Sequence, residues 1–445
     1  MKLDAFKKLI TYLSIVFVST NVFAQEPVID VVEGELKKGE ILTIKGSGFT
    51  HKLHPKPLLF WQADDGEKPS PLGRKLSWDG VFNGEIVDKS ITPIISPGSQ
   101  KALRYDYSSG SGALLARVSF ESDDLYVWRK RYDDFDRSKD FAIRTRYVNL
   151  EKLGSVSTPQ PGMLMAKSDR SLWGRVIVAE VSTSDSGTIY YSNEEGNLAN
   201  KSAISSMKTG DVMYFFADTD VELKTPLLRA LNNEGVGVFH TFNHKIIRLW
   251  GKTGTHLNNS YISLDSDGMM VSERTQVSSF FMADWDSKIS SATERWVVEE
   301  FEYRAGTINN ADGILRYWQD RTSAWDDKRF RFTTTEFPNK YTEVFQTQVS
   351  NGAYPGSYEY FDSLYIDDSW HRVLVCAEYT WFACKQPEIL IPVEWSDSEI
   401  KVVLRTGSLG ENERFYFFVV NGAGLVNSLG FSSCPKCPEP PFQGE

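Results

Sequence analysis

Apolar and polar positions alternate with a period of two along most of the chain, interrupted at short intervals by Gly, Pro, Asn or Asp. That rhythm predicts short antiparallel strands joined by turns. Between residues 78 and 368 it marks strands near 113–120, 141–149, 173–181, 212–217, 236–242, 296–304, 313–318, 330–335 and 358–366. Helical periodicity is nearly absent, with 226–232 the best short candidate. So many strands in one stretch predict a two-sheet sandwich or jelly roll. Shorter strand series flank it, one before residue 65 and one at 371–376, 388–391, 400–406 and 414–420.

The first residues break this pattern. Lys2, Lys7 and Lys8 precede an apolar run from Leu9 to Val18, and Val22, Phe23 and Ala24 lead to Gln25. Positive, then apolar, then small residues is the order of a cleavable secretory signal. The run is too short to cross a bilayer, which takes about 20 residues, so no membrane insertion is expected. The organisation expected is a signal peptide over 1–24, a β segment over 25–65 and a Pro/Gly/Lys-rich linker over 66–77. The large sandwich follows over 78–368, then a small immunoglobulin-like β-sandwich over 369–432 and a Cys/Pro-rich tail over 433–445. The class is all-β, a jelly-roll sandwich flanked by small immunoglobulin-like modules. The destination is secreted, periplasmic or cell-surface.

Composition narrows the partners. The net charge of −10 argues against nucleic acid, which needs a surplus of Lys and Arg on one face. Twelve Trp and 19 Tyr suit a surface on which sugar rings stack, as well as strand faces that favour aromatics. The four cysteines all fall in the last 70 residues, and an oxidising compartment closes such pairs. Cys376 is expected to pair with Cys384, and Cys434 with Cys437.

Two segments carry resemblances. In 36–49, Gly39, then Leu42-Thr43-Ile44-Lys45-Gly46-Ser47-Gly48-Phe49, resembles the opening of IPT/TIG domains, which are small immunoglobulin-like spacer or docking modules. Further on, Trp296-Val297-Val298-Glu299-Glu300-Phe301-Glu302-Tyr303-Arg304, then Asp312-Gly313-Ile314-Leu315-Arg316-Tyr317-Trp318-Gln319-Asp320, and later Tyr360-Phe361-Asp362-Ser363-Leu364-Tyr365-Ile366-Asp367, resemble a strand series of concanavalin A-like lectin/glucanase jelly rolls. That superfamily includes LamG-like modules and polysaccharide lyases. The resemblance implies a jelly roll whose concave sheet holds a glycan; fold alone does not set the activity.

Alternation puts Glu300 and Glu302 on one face with Trp296, Val298 and Arg304. Paired carboxylates suggest a glycosidase, but Glu-Phe-Glu-Tyr-Arg departs from the Glu-x-Asp-x-x-Glu pattern of jelly-roll glucanases. With Arg316 and Trp318 of the next strand, and Arg144 and Arg146 on one face of theirs, these acids form the expected glycan-binding set; the alternative for Glu300 and Glu302 is a pair of surface or salt-bridged glutamates next to Arg304. Paired arginines grip carboxylates or sulfates, or else neutralise Asp133, Asp134 and Asp136. A lyase acting on uronic acids needs a cation or amide at the carboxylate and a base and an acid at the C–H and leaving oxygen. His244 would be the base, Asn243 or Arg248 the neutraliser, and Tyr303 or Tyr317 the acid. His240 and His244 have a zincin-like spacing without the Glu of a zincin, so no metal is expected there. Asp265, Asp267 and Gly268 offer a low-grade Ca²⁺ turn; no other cofactor is expected.

The reading is a secreted polysaccharide-recognising β-sandwich protein. The alternatives are a polysaccharide lyase or hydrolase acting on an acidic glycan, and a structural or assembly protein of the surface. The partner expected is a polysaccharide. No oligomeric state is predicted.

Overall fold

The computed structural model describes residues 25–66, 84–106, 113–134, 141–169, 172–192, 208–220, 222–234, 237–240, 244–253, 256–265, 268–274, 281–282, 294–330, 335, 341–349, 358–409 and 413–434. The signal segment 1–24, residues 67–77 of the linker, Asn243, Asp267, Cys437 and residues 435–445 of the tail lie outside them. Among the described residues the regular structure is β throughout, apart from one short 3-10 turn at Ala63–Asp65. No described helix is long and apolar enough to cross a membrane. The strands form several antiparallel sheets.

The main sheet runs in the order Thr322–Phe330, Gly313–Gln319, Trp296–Arg304, Asp124–Asp134, Tyr358–Asp367, Lys101–Asp106 and Gly84–Asp88, with Leu59–Gln62 also paired to Tyr358–Asp367. Its central strands are buried on both faces. In Trp296–Arg304, every residue from Val297 to Tyr303 is buried, so the strand reads as a nearly continuous run rather than an alternation. Val297, Glu299, Phe301 and Tyr303 face one side, and Val298, Glu300 and Glu302 the other.

A second sheet covers the first of these faces. It runs in the order Phe281–Met282, Gly268–Arg274, His256–Asp265, His244–Thr253, Glu343–Val349 and Ala113–Ser119. Ile247, Leu249, Val344 and Val118 pack with Phe301, Tyr303, Leu315, Leu125 and Leu364 of the main sheet in one core. Burying each such aliphatic or aromatic side chain contributes about 1.5–3 kcal/mol.

The strands between residues 141 and 240 do not extend that sandwich. They close into a ring in the order Ser186–Ser192, Leu172–Thr183, Leu164–Ala166, Val212–Phe216, Leu228–Asn232 and Phe141–Lys152, with Phe141–Lys152 pairing back to Ser186–Ser192. A closed ring has no free edge. Tyr147, Met163, Met165, Ile189, Met213 and Phe215 fill it. The helix candidate at 226–232 is a strand here. Leu228, Ala230 and Asn232 point inward with period two, and its backbone bonds go to the neighbours on either side.

The segments at the two chain ends form one unit rather than two modules. Ile41–Ser47 pairs with Glu399–Val403, giving a sheet in the order Val28–Glu33, Ile41–Ser47, Glu399–Val403, Glu388–Trp395, Arg372–Cys376, Tyr416–Val420 and Phe431–Ser432. Leu42, Ile44 and Phe49 share a core with Val373, Leu390, Ile400 and Phe417. The early strands therefore have no core of their own. They bury their apolar face against strands that follow some 350 residues later in the chain.

This terminal unit sits on the outer face of the main sheet. Tyr126, Trp128, Val298 and Tyr365 of the sheet pack with Trp370, Leu374, Ile389, Tyr416 and Phe418 of the unit. A second contact joins Gly98 to Gly407: a Cβ on Gly98 would lie 2.1 Å from the Gly407 carbonyl oxygen. The Cys376–Cys384 disulfide expected from the sequence is closed within the unit. Cys434 is also disulfide-bonded.

Candidate functional site

The outer wall of the barrel presents the first candidate. In Phe141–Lys152, Thr145 and Tyr147 are buried, the Thr145 hydroxyl donating to Asn232 Oδ1 at 2.7 Å. Period two then turns Arg144 and Arg146 outward together. On the neighbouring strand Tyr190 stands opposite Arg144 and Thr188 opposite Arg146, and directly opposed residues share a face. Glu234, two residues beyond Leu228–Asn232, reaches both cations. Its Oε1 lies 3.5 Å from Arg144 Nη2 and its Oε2 3.4 Å from Arg146 Nε. The acids that neutralise this pair therefore include Glu234, a residue remote in sequence. Arg146 keeps 53% of its side chain exposed. Burial, then Glu180, pushes the Tyr190 phenol up, and both arginines oppose that shift; its ring is partly buried against the sandwich core.

Glu300 and Glu302 occupy the outer face of the main sheet, beneath the terminal unit. Glu300 accepts from Tyr126 Oη at 2.8 Å and Arg321 Nη1 at 3.0 Å. Glu302 accepts from Arg372 Nη2 at 2.9 Å and Arg316 Nη1 at 3.0 Å. Both are almost fully buried, at 1% and 3% exposure, so in this arrangement they are closed to a solvent-borne glycan. An apolar core surrounds them, where a carboxylate needs a cation beside it. Arg316 also donates to Asp326 at 3.0 Å, and Trp318 is half-buried opposite Glu300. Glu300, Glu302 and Arg316 tie the main sheet to the terminal unit through Arg372 and the Trp370 ring, away from Arg144 and Arg146 on the barrel.

The inner face of the main sheet holds a separate buried charge cluster. Glu299 accepts from Arg129 Nε at 2.6 Å, Arg131 Nη2 at 2.6 Å, Tyr317 Oη at 2.5 Å and Gln319 Nε2 at 3.1 Å. Burial pushes the Glu299 carboxyl up, but Arg129 and Arg131 outweigh it and hold the group well below the usual carboxylate range. Arg131 also pairs with Asp133 and donates to Glu359 at 3.1 Å. Two guanidinium groups thus face Glu299 and Asp133, and burial pushes Glu359 up toward the neutral acid. Tyr317 is pushed well up by burial and then by Glu299. Its phenol donates to Glu299 and is fully buried, so it does not face a glycan in solvent as the expected acid would.

The residues nominated for lyase chemistry are not gathered in one groove. Tyr317 lies in this buried cluster. Tyr303 lies at the apolar end of the same face, edge-on to Phe120 and Tyr341 with ring centroids 6.3 and 5.6 Å away. On the facing sheet Ile247 and Leu249 point inward, so Arg248 points away from both tyrosines and lies 4.1 Å over the Trp250 ring. His244 begins its strand opposite Val349, and Asn243 is outside the described residues. Asp265 pairs with Gly268 in a tight hairpin between two strands of that sheet. Cys376, Glu378 and Cys384 bring possible ligand atoms together, but both sulfurs are joined in the disulfide and neither is a thiolate a metal could use.

No family model matches the chain, and no curated protein does. Solved structures similar to it include polysaccharide lyases and carbohydrate-binding domains. An endo-β-1,4-glucuronan lyase from the fungus Trichoderma reesei is 7% identical, over 65% of this chain and 91% of that one, with a TM-score of 0.30. An alginate lyase from Aplysia kurodai is 11% identical, over 66% and 90%, with a TM-score of 0.26. Domain 4 of an extracellular arabinanase from Geobacillus stearothermophilus, solved with arabinotriose, is 10% identical, over 70% and 91%, with a TM-score of 0.27.

Of the residues that matter on the barrel wall, Tyr190 was within reach of the sequence. The alternation in 186–192 places it outward once the strand is recognised. Glu234 gave no signal, because it meets the arginines only through ring closure.

Proposed function

We propose that this protein is exported and binds an acidic polysaccharide on the outer wall of its barrel. The observation that carries this reading is the pair Arg144 and Arg146, projecting together beside Tyr190 and sharing the carboxylate of Glu234 at 3.5 and 3.4 Å. Contacts of that length are looser than a fork-to-carboxylate hydrogen bond, which closes to about 2.7–2.9 Å. A uronate or sulfate can therefore compete for the guanidinium forks, beside a Tyr190 ring that is itself partly buried against the sandwich core. Export is supported by the order of residues 2–25 and by the closed Cys376–Cys384 pair, which suits an oxidising compartment.

The test is affinity electrophoresis of the mature protein through gels containing acidic polysaccharides. Retardation by at least one uronate or sulfated polymer is expected, together with its loss in Arg144→Ala/Arg146→Ala and its weakening by salt. Unchanged retardation in the double variant would sink the site. Absorbance at 235 nm should stay flat during incubation; a rise would move the protein to the lyase class. Sequencing the N-terminus of the exported protein should give Gln25 first, and a retained Met1 refutes the signal reading.

A further inference from the structure

We infer that the cleft between the terminal unit and the turn of the Gly313–Gln319/Thr322–Phe330 hairpin is a second carbohydrate site, one that takes a neutral sugar. The cleft measures about 490 Å³, within the roughly 300–1,000 Å³ of small-molecule sites. One wall is Asp320 and Thr322 of the hairpin. The other comprises Glu378 and Lys385 beside the disulfide, with Gln386 and Ser408.

The walls belong to different parts of the fold, yet they are held rigidly. Asp320 and Arg321 form the hairpin turn with φ of 46° and 58°, left-handed values that side chains other than Gly and Asn adopt only at a cost of about 1–2 kcal/mol. Their side chains explain why glycine does not stand there. Asp320 Oδ1 accepts from the Val298 amide at 2.9 Å, and its other oxygen pairs with Arg295. Arg321 donates to Glu300 at 3.0 Å and lies 3.7 Å over the Trp381 ring of the terminal unit. Across the cleft, the Cys376–Cys384 bond staples the loop that carries Glu378. A cleft set in place before binding loses little entropy when it is filled.

The charges decide the ligand. Asp320 is matched by Arg295. Glu378 and Lys385 are both exposed, and neither makes an ion pair with another described residue. The cleft thus offers one carboxylate and one ammonium with no surplus of either sign. An anionic sugar would meet Glu378 with like charge and have Lys385 as its single counterion. A neutral sugar would use both charged ends: adjacent hydroxyls donate to the Glu378 carboxylate and Lys385 donates to ring or hydroxyl oxygens, while the Gln386 amide already donates to the Trp296 carbonyl and to Asp320 Oδ1, each at 3.4 Å. Phe382, 74% exposed on the same loop, carries Lys385 Nζ 5.2 Å over its ring. The site is independent of the barrel arginines and stands or falls without them.

Gels containing soluble β-glucan, galactomannan, arabinan or xylan provide the test. The native protein should be retarded by at least one of them. Glu378→Gln/Lys385→Ala should weaken that retardation at least tenfold, and Ala377→Trp, which fills the cleft from an exposed position, should do the same with an unchanged melting temperature. Arg144→Ala/Arg146→Ala should leave neutral retardation intact. No retardation of the native protein by any of the four polymers, or equal retardation of both cleft variants, overturns the inference. Loss of neutral retardation in the arginine variant would assign that binding to the barrel instead.

Discussion

Lys52 and Asp367 tie the connectors between the terminal unit and the main sheet, and replacing Lys52 by Met tests how much that tie contributes. Both side chains are fully buried, and their charged atoms lie 2.5 Å apart. Met keeps the length of the stem and removes the charge. Asp367 would retain the Tyr365 hydroxyl at 2.7 Å and the Ser369 hydroxyl at 3.1 Å, but no cation. Removing one member of a buried pair costs about 3–5 kcal/mol, because the remaining charge stays buried. Two surviving hydroxyl donors place Lys52→Met at the lower end, about 3 kcal/mol. With a urea slope of about 2 kcal/mol/M, the unfolding midpoint would fall by about 1.5 M. Tryptophan fluorescence in urea reads it directly, since Trp395 lies 5.5 Å from the Lys52 ammonium.

The pH dependence separates a charge effect from a packing effect. Burial raises the Asp367 carboxyl, and Lys52 opposes that rise. Without Lys52 the folded group rises further, so its contribution is retained below the unfolded carboxylate pKa of about 4 and lost as pH increases. The gap between native protein and Lys52→Met should be widest near pH 8 and shrink toward pH 4. Lys52→Met/Asp367→Asn should recover most of the loss. A cost under about 1 kcal/mol at pH 8, or a gap that does not change with pH, would refute the reasoning.

Glu359→Gln mimics the neutral acid that burial favours. A raised folded pKa lowers stability as pH climbs past about 4.3, so the variant should match the native protein at pH 4 and exceed it in urea midpoint at pH 8. A lower midpoint at pH 8 would show that Glu359 is ionised. Cys376→Ala/Cys384→Ala opens a loop of sequence separation 8 and should lower unfolding free energy by about 2.5 kcal/mol on loop entropy; no change in calorimetric melting would contradict this. Glu234→Gln removes the carboxylate shared by Arg144 and Arg146, and should strengthen retention on acidic polysaccharide gels. Weaker retention would make Glu234 part of the binding surface.

Much of the secondary structure was legible because strand formation is local. Period two identified Trp296–Arg304, Gly313–Gln319 and Tyr358–Asp367 and sorted Glu300 and Glu302 onto one face. Cysteine spacing gave the Cys376–Cys384 pair. What period two cannot say is what covers a face. Glu300 and Glu302 read either as a ligand-facing pair or as salt-bridged glutamates; they are salt-bridged and buried beneath the terminal unit, where Arg372 and Arg321 neutralise them.

Sequence by itself thus determined the all-β class, several of the strands and the placing of Arg144 and Arg146 on one face of theirs. Only the tertiary structure decided which strands are neighbours. It closed residues 141–240 into a ring, joined Ile41–Ser47 to Glu399–Val403 in one sheet, and brought Glu234 to the two arginines. The physical reason is that a strand's alternation depends on its own residues, whereas its backbone hydrogen bonds accept any partner strand. The choice falls to long-range burial of apolar faces and neutralisation of buried charge, neither of which leaves a mark at short range in the chain.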